Sequence, residues 1–128
     1  MKPLTREWVA KAEGDYATAR RELRARNRPN FDAACFHAQQ CAEKYLKALL
    51  QETGLAIVRS HNLEALAKPL LATHPSLKAI ASGLRTLTAF AVETRYPGKS
   101  ANRQVAREAA AIASKVRDVV RKALKASR

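Results

Sequence analysis

The sequence predicts an all-α fold, an antiparallel up-and-down bundle of four to five helices. Three observations predict it. Ala, Leu, Lys, Arg and Glu dominate, aromatic residues are 5%, and there are only four glycines and five prolines, so helix formers are plentiful and breakers few. Apolar residues recur every three or four positions along most of the chain, the period of one helical face. Proline, glycine and asparagine gather at a few points that divide the chain into helix-length segments.

Each segment follows from its own pattern. Thr5 is expected to cap a first helix whose apolar stripe is Trp8, Ala12, Tyr16 (or Asp15), Ala19 and Leu23. Asn27-Arg28-Pro29-Asn30 breaks it, because the residue before proline leaves helical geometry. Asn30 then caps a second helix with Phe31, Cys35, Ala38, Ala42, Leu46 and Leu49 on one stripe, stopped by Gly54. Leu55-Ala56-Ile57-Val58 has no partner strand and reads as a packed loop. Ser60 is expected to cap a short third helix carrying Leu63, Leu66, Ala67, Leu70 and Leu71, kinked at Pro69. Ser76 opens a fourth, with Leu77, Ile80, Leu84, Leu87 and Ala91, which runs out at Arg95-Tyr96-Pro97-Gly98. Asn102 caps the last, whose stripe is Val105, Ala109, Ile112, Val116, Val119 and Ala123.

Bulk properties bound the rest. The 128 residues, 47% hydrophobic, suit one domain, residues 1–128. The N-terminus lacks the apolar run of a signal peptide and no window approaches a membrane span, so no membrane association and a cytoplasmic location are expected. Cys35 and Cys41 sit six positions apart on one helix, about 240° apart in facing. They read as reduced core thiols, and since His37 with Cys41 is the only i, i+4 donor pair, neither a metal nor another cofactor is expected. The inner stripes are rich in alanine, which makes a thin core. A second apolar side on helix two, Ala34, Cys41, Tyr45 and Ala48, therefore suggests a homodimer.

A net charge of +13 attracts phosphates, nucleic acids and acidic surfaces. The cations cluster at the end of the first helix (Arg20, Arg21, Arg24, Arg26, Arg28) and of the last (Arg117, Arg121, Lys122, Lys125, Arg128). Cations at a helix C-terminus also offset its dipole, so a purely solvated face explains them equally well.

Four separated motifs, in order, carry a family resemblance. The run Phe36-His37-Ala38-Gln39-Gln40-Cys41-Ala42-Glu43-Lys44-Tyr45-Leu46-Lys47-Ala48-Leu49-Leu50 resembles the second helix of HEPN domains, the higher-eukaryote and prokaryote nucleotide-binding domains. Trp8 with Ala12-Glu13 and Asp15 resembles their first helix, His61-Asn62-Leu63 their third-helix start, and Arg95-Tyr96-Pro97 the turn before their last. The resemblance implies a bundle similar to the C-terminal domain of kanamycin nucleotidyltransferase, a homodimer, and pairing with a minimal nucleotidyltransferase in a toxin-antitoxin-like couple. Many members are metal-independent ribonucleases with four to six residues between a motif Arg and a His. Here the positions at that distance from Arg95 hold Ser100, Ala101 and Asn102, and no His follows His74.

The candidate ligand residues are His37, Gln40, Lys44 and Lys47, spaced three, four and three along one polar face, with His61, Arg95 and Tyr96. The face reads either as a solvated stripe with a Glu43–Lys47 ion pair, as a cationic cleft that binds the phosphate of a nucleotide or RNA together with Arg95, or as a protein interface. His61 also suits a loop-anchoring role. No catalytic residue is assigned. The leading expectation is a non-catalytic nucleotide-binding or interaction subunit partnering a nucleotidyltransferase. The alternatives are a ribonuclease toxin, with His37 or His61 as base, and a basic nucleic-acid-binding module.

Overall fold

The computed structural model describes residues 1–126 and contains five α-helices, with no strand among the described residues. They are α1 (Pro3–Arg24), α2 (Phe31–Thr53), α3 (Leu63–Ala67), α4 (Ala81–Glu93) and α5 (Arg103–Ala126). Two 3-10 segments, Lys68–Leu70 and Pro75–Ile80, join α3 to α4. Side-chain contacts fix the directions. Lys2 donates to Glu52 while Asp15 pairs with His37 and Lys44, so α1 and α2 are antiparallel. Arg103 reaches the Leu23 carbonyl and Glu13 binds Arg117 and Arg121, so α1 and α5 are also antiparallel. Ala101 bonds Asp32 and Arg121 bonds Tyr45, so α2 and α5 run the same way. This is an up-down-up-down bundle of the four long helices.

Alanine explains why α2 and α5, which run parallel, pack directly on each other. Their buried faces carry Ala34, Ala38 and Ala42 on one and Ala106, Ala109 and Ala113 on the other, and small side chains let helix axes approach. Helix α2 becomes the central element, buried on both sides. Ala34, Cys41, Tyr45 and Ala48 are fully buried inside the single chain, so this second apolar side is used up by intrachain packing and no longer motivates a dimer. Larger residues fill the layer toward α3 and α4, where Leu46, Leu49, Leu63, Leu66, Leu70, Leu77, Leu84 and Leu87 are buried.

Caps behave as expected at Asn30, whose side chain accepts from Ala33 N–H at 2.9 Å, and at Asn102, which accepts from Val105 N–H at 2.9 Å. Gly54 closes α2 in the left-handed conformation at φ 75°, which glycine adopts without strain. Two expected caps move. Helix α1 opens at Pro3, whose fixed φ suits the first helical position, leaving Thr5 buried inside the first turn. Asn62 caps α3, accepting from Ala65 N–H, while Ser60 accepts from the Asn62 N–H. Pro69 ends the α-helical part of the third segment instead of kinking it. Residues 55–58 form a loop with Ile57 and Val58 packed on the core. No described helix is long and apolar enough to cross a membrane.

Candidate functional site

The polar row of α2 is held between α1 and the loop before α3 by two buried carboxylates. Asp15, on the inner side of α1, lies 2.8 Å from His37 Nδ1 and pairs with the Lys44 ammonium. Glu43, on α2 itself, takes Lys47 at 3.0 Å and lies 2.9 Å from His61 Nδ1. Gln39 ties the second group together, donating to Glu43 at 3.2 Å and to the His61 carbonyl at 3.1 Å, while Gln40 donates to Gln39 at 2.8 Å. Lys47 also stands over the Trp8 ring, 5.5 Å from its centroid.

Burial raises the energy of a carboxylate charge, and hydrogen bonds to the charged form lower it. At Glu43 burial alone pushes the carboxyl up. Bonds from His61, Lys47 and Gln39, with the Lys47 charge, hold it below the usual carboxylate value. The result is an ionised side chain only 5% exposed. Cysteine shows the opposite outcome. Burial and nearby carboxylates push Cys35 up to about 11 and Cys41 to about 12, so both are unreactive core thiols.

Five of the expected residues thus come together: His37, Gln40, Lys44, Lys47 and His61. Lys47 departs from expectation, since its side chain is 15% exposed; Trp8 and Glu43 cover it where solvent access was expected. His61 does anchor its loop, through its ring and its carbonyl, with the side chain 75% exposed. Arg95 and Tyr96 lie exposed in the turn after α4, and the described hydrogen bonds and ion pairs of the α2 row do not include them. That turn sits at the end of the bundle where α2 and α5 begin, because Asp32 bonds Ala101 there and Phe90 and Thr94 line a cleft with Ala101 and Val105.

Three organising residues, Asp15, Gln39 and Glu43, were not among the candidate ligand residues. All three occupy buried positions of their helices, and a polar side chain at a buried phase is the signal that marks them.

A second polar cluster lies on the other flank of α1. Glu13 accepts from Arg117 and Arg121, each at 2.7 Å, and from the Tyr45 hydroxyl. Burial opposes the charge on Glu13, but these partners hold its carboxyl below the usual value, while burial and Glu13 raise that of Tyr45.

The model of the HEPN domain matches residues 5–123. Among solved structures, TT1696 from Thermus thermophilus is similar at 26% identity, with a TM-score of 0.80 over 92% of this chain and 96% of that one. ST0689, an archaeal HEPN homologue, is similar at 27% identity and a TM-score of 0.74, over 97% of this chain and 99% of that one. No curated protein matches the chain. A match over nearly the whole bundle, together with these two folds, establishes that this chain belongs to the HEPN domain family.

Proposed function

We propose that this HEPN-domain chain is a non-catalytic nucleotide-binding or interaction subunit, a homodimer that works with a minimal nucleotidyltransferase in a toxin-antitoxin-like pair. The observation that carries the reading is the pairing on the α2 face. Two buried carboxylates orient Lys44, Lys47, His37 and His61, and each ammonium keeps N–H donors beyond the one it gives to its carboxylate. Such a face suits a phosphate held by oriented donors more than by excess charge. Its ligand residues are His37, Gln40, Lys44, Lys47 and His61, with Arg95 and Tyr96 contributed by a second copy or meeting the far end of the ligand.

The homodimer draws support from exposed apolar side chains. Phe36 is 46% exposed, Val92 49% and Tyr96 61%, and all three lie toward the end of the bundle where α4 finishes and α2 begins. Light scattering at micromolar concentration should give twice 14.1 kDa; the mass of one chain overturns the dimer. For the partner, purification of the tagged chain from its own cells should yield a nucleotidyltransferase in matching amount. Its absence removes that part of the proposal. Titration with ATP should weaken on Lys44→Ala, and an unchanged affinity removes the α2 face as its site.

One observation favours the ribonuclease alternative. Asp15 orients the His37 ring through Nδ1, the arrangement by which a carboxylate prepares an imidazole to act as base through its other nitrogen. RNA cleavage in the presence of chelator, abolished by both His37→Ala and Arg95→Ala, would replace the non-catalytic reading.

A further inference from the structure

We propose that the cleft between the C-terminal half of α1 and helix α5 is a binding track for a single nucleic-acid strand, gripped through its phosphates and not through its bases. It is separate from the α2 face. Glu13 and Asp15 are two residues apart on α1, about 200° round the helix, so the two clusters occupy opposite flanks.

The cleft is built from two adjoining hollows of about 660 and 370 Å³ that share Tyr16, Arg20 and Arg24. Arg21 and Arg117 line the first, and Arg107 faces them from α5 in the second. Guanidinium groups therefore stand on both walls. Among the described residues, only Arg117 of these has a carboxylate partner across the cleft, Glu13, and no ion pair engages Arg20, Arg21, Arg24 or Arg107. Four uncompensated guanidiniums along one groove attract a polyanion, and their planar forks match phosphate oxygens. From Arg107 to Arg117 the α5 wall extends about 15 Å, the span of roughly four phosphates of one strand at its ordinary rise of about 3.4 Å.

Tyr16 decides between phosphate and base recognition. Its ring has the Arg20 guanidinium 5.5 Å and the Arg117 guanidinium 5.1 Å from its centroid, and its hydroxyl bonds Ser114 at 3.3 Å. Cations already occupy the ring, so it is not a free stacking platform. It serves to splay and hold the arginines. Binding should be indifferent to base sequence and steep in salt, because it depends on counterions released from the strand.

The test is fluorescence anisotropy with a short labelled single-stranded RNA on the full chain, between about 50 and 200 mM salt. Four phosphates predict a log–log slope near −3, at about 0.7 per phosphate. The triple variant Arg20→Ala, Arg24→Ala, Arg107→Ala should lose about 2 from that slope and at least about tenfold in affinity at the low-salt end. All three residues are exposed, so its melting temperature should not fall below the native value, and the matching Arg→Lys triple should restore most of the slope. The control Lys68→Ala, Lys78→Ala, Lys125→Ala removes the same charge from exposed positions outside the cleft and should bind nearly as the native chain does. Equal loss in the control means that net charge alone binds RNA, and it overturns the track. A strand of abasic sugar-phosphate should bind nearly as well as the RNA; failure to do so overturns the phosphate grip. Equal affinity for polyglutamate, lost in the same arginine triple, reassigns the cleft to an acidic protein.

Discussion

On the α2 face each lysine meets a carboxylate, Lys44 that of Asp15 and Lys47 that of Glu43, whereas along the α1–α5 cleft Arg20, Arg21, Arg24 and Arg107 meet none among the described residues. Both regions are rich in cations, yet they are built for different ends. Where the charge is compensated and half-buried, it is bound up with folding: removing one member strands another in a poor dielectric. Where it is uncompensated and exposed, its removal costs the fold little and its attraction for anions is undiminished. Stability should therefore reside in the α2 region and salt-sensitive affinity in the cleft.

The largest effect should come from just beneath the α2 row. Leu46 is fully buried on the inner stripe, so Leu46→Ala should destabilise by ~2–5 kcal/mol in a denaturant melt, through lost burial and an unfilled cavity. A loss well under 1 kcal/mol would mean that the core relaxes around the site, and that the rigidity assumed for the row above it is absent.

Next comes Glu43. Its replacement by Gln keeps the shape but leaves Lys47 without its carboxylate and His61 with a weaker partner, for a loss of about 1–3 kcal/mol at neutral pH. The loss is at the low end of what a sealed pair would show, because His61 reaches water. Linkage gives the pH dependence. The Glu43 carboxyl titrates lower in the folded protein than in the unfolded chain, so its contribution is fully present above the unfolded value, near 4.3. It is lost as pH falls through the folded value. Native and Glu43→Gln stabilities should thus converge in acid and separate as pH rises to about 5, above which the gap is steady. A gap that stays constant across that range would mean that packing, not ionisation, is what Gln disturbs.

Lys47→Ala should cost somewhat less, about 1–2 kcal/mol. Glu43 then stays buried but keeps the donors of Gln39 and His61, while the contact with the Trp8 ring disappears. If the α2 face were a solvated stripe, no measurable effect would follow at Lys47. Calorimetric melting of this one variant separates the two placements.

The contrast between these positions shows where sequence reasoning succeeds. Asn30, Asn102 and Gly54 act within one turn of their own helices, and such local chemistry is legible directly. The inner stripe of α2 was equally clear. On α5 the phase was harder to read, because bulky Val105, Ile112 and Val119 stand out in the pattern but are half-buried, while Ala106, Ala113 and Val120 are buried. Close approach of α5 to α2 selects small side chains for the seam and turns the larger ones to its flanks. Ile112 packs against Gly83 on α4, where an added Cβ would come within 3.0 Å of it. The compensation of the α2 row depends on Asp15, 22 and 29 positions from its partners. Periodicity along one helix carries no information about which helix lies opposite, so a row of cations looks alike whether it is paired or bare.

The smallest expected effect is the one that most directly tests this difference. Arg24 is exposed on α1 and lines both hollows of the cleft without an ion pair among the described residues. Arg24→Ala should move stability by no more than ~0.5 kcal/mol, the usual limit for a surface position away from caps and buried networks. Its sign is informative. Arg20, Arg21 and Arg107 border the same groove, so removing one of several like charges relieves repulsion and should, if anything, raise the melting temperature at low salt. Added salt screens that repulsion over a Debye length of ~10 Å at 0.1 M and should erase the gain. A salt-dependent stabilisation of Arg24→Ala, beside a salt-insensitive loss in Lys47→Ala, would mark the cleft as a place where charge is maintained against the interest of the fold. If Arg24→Ala instead destabilises as Lys47→Ala does, the cleft arginines have intramolecular partners, and the two regions are alike after all.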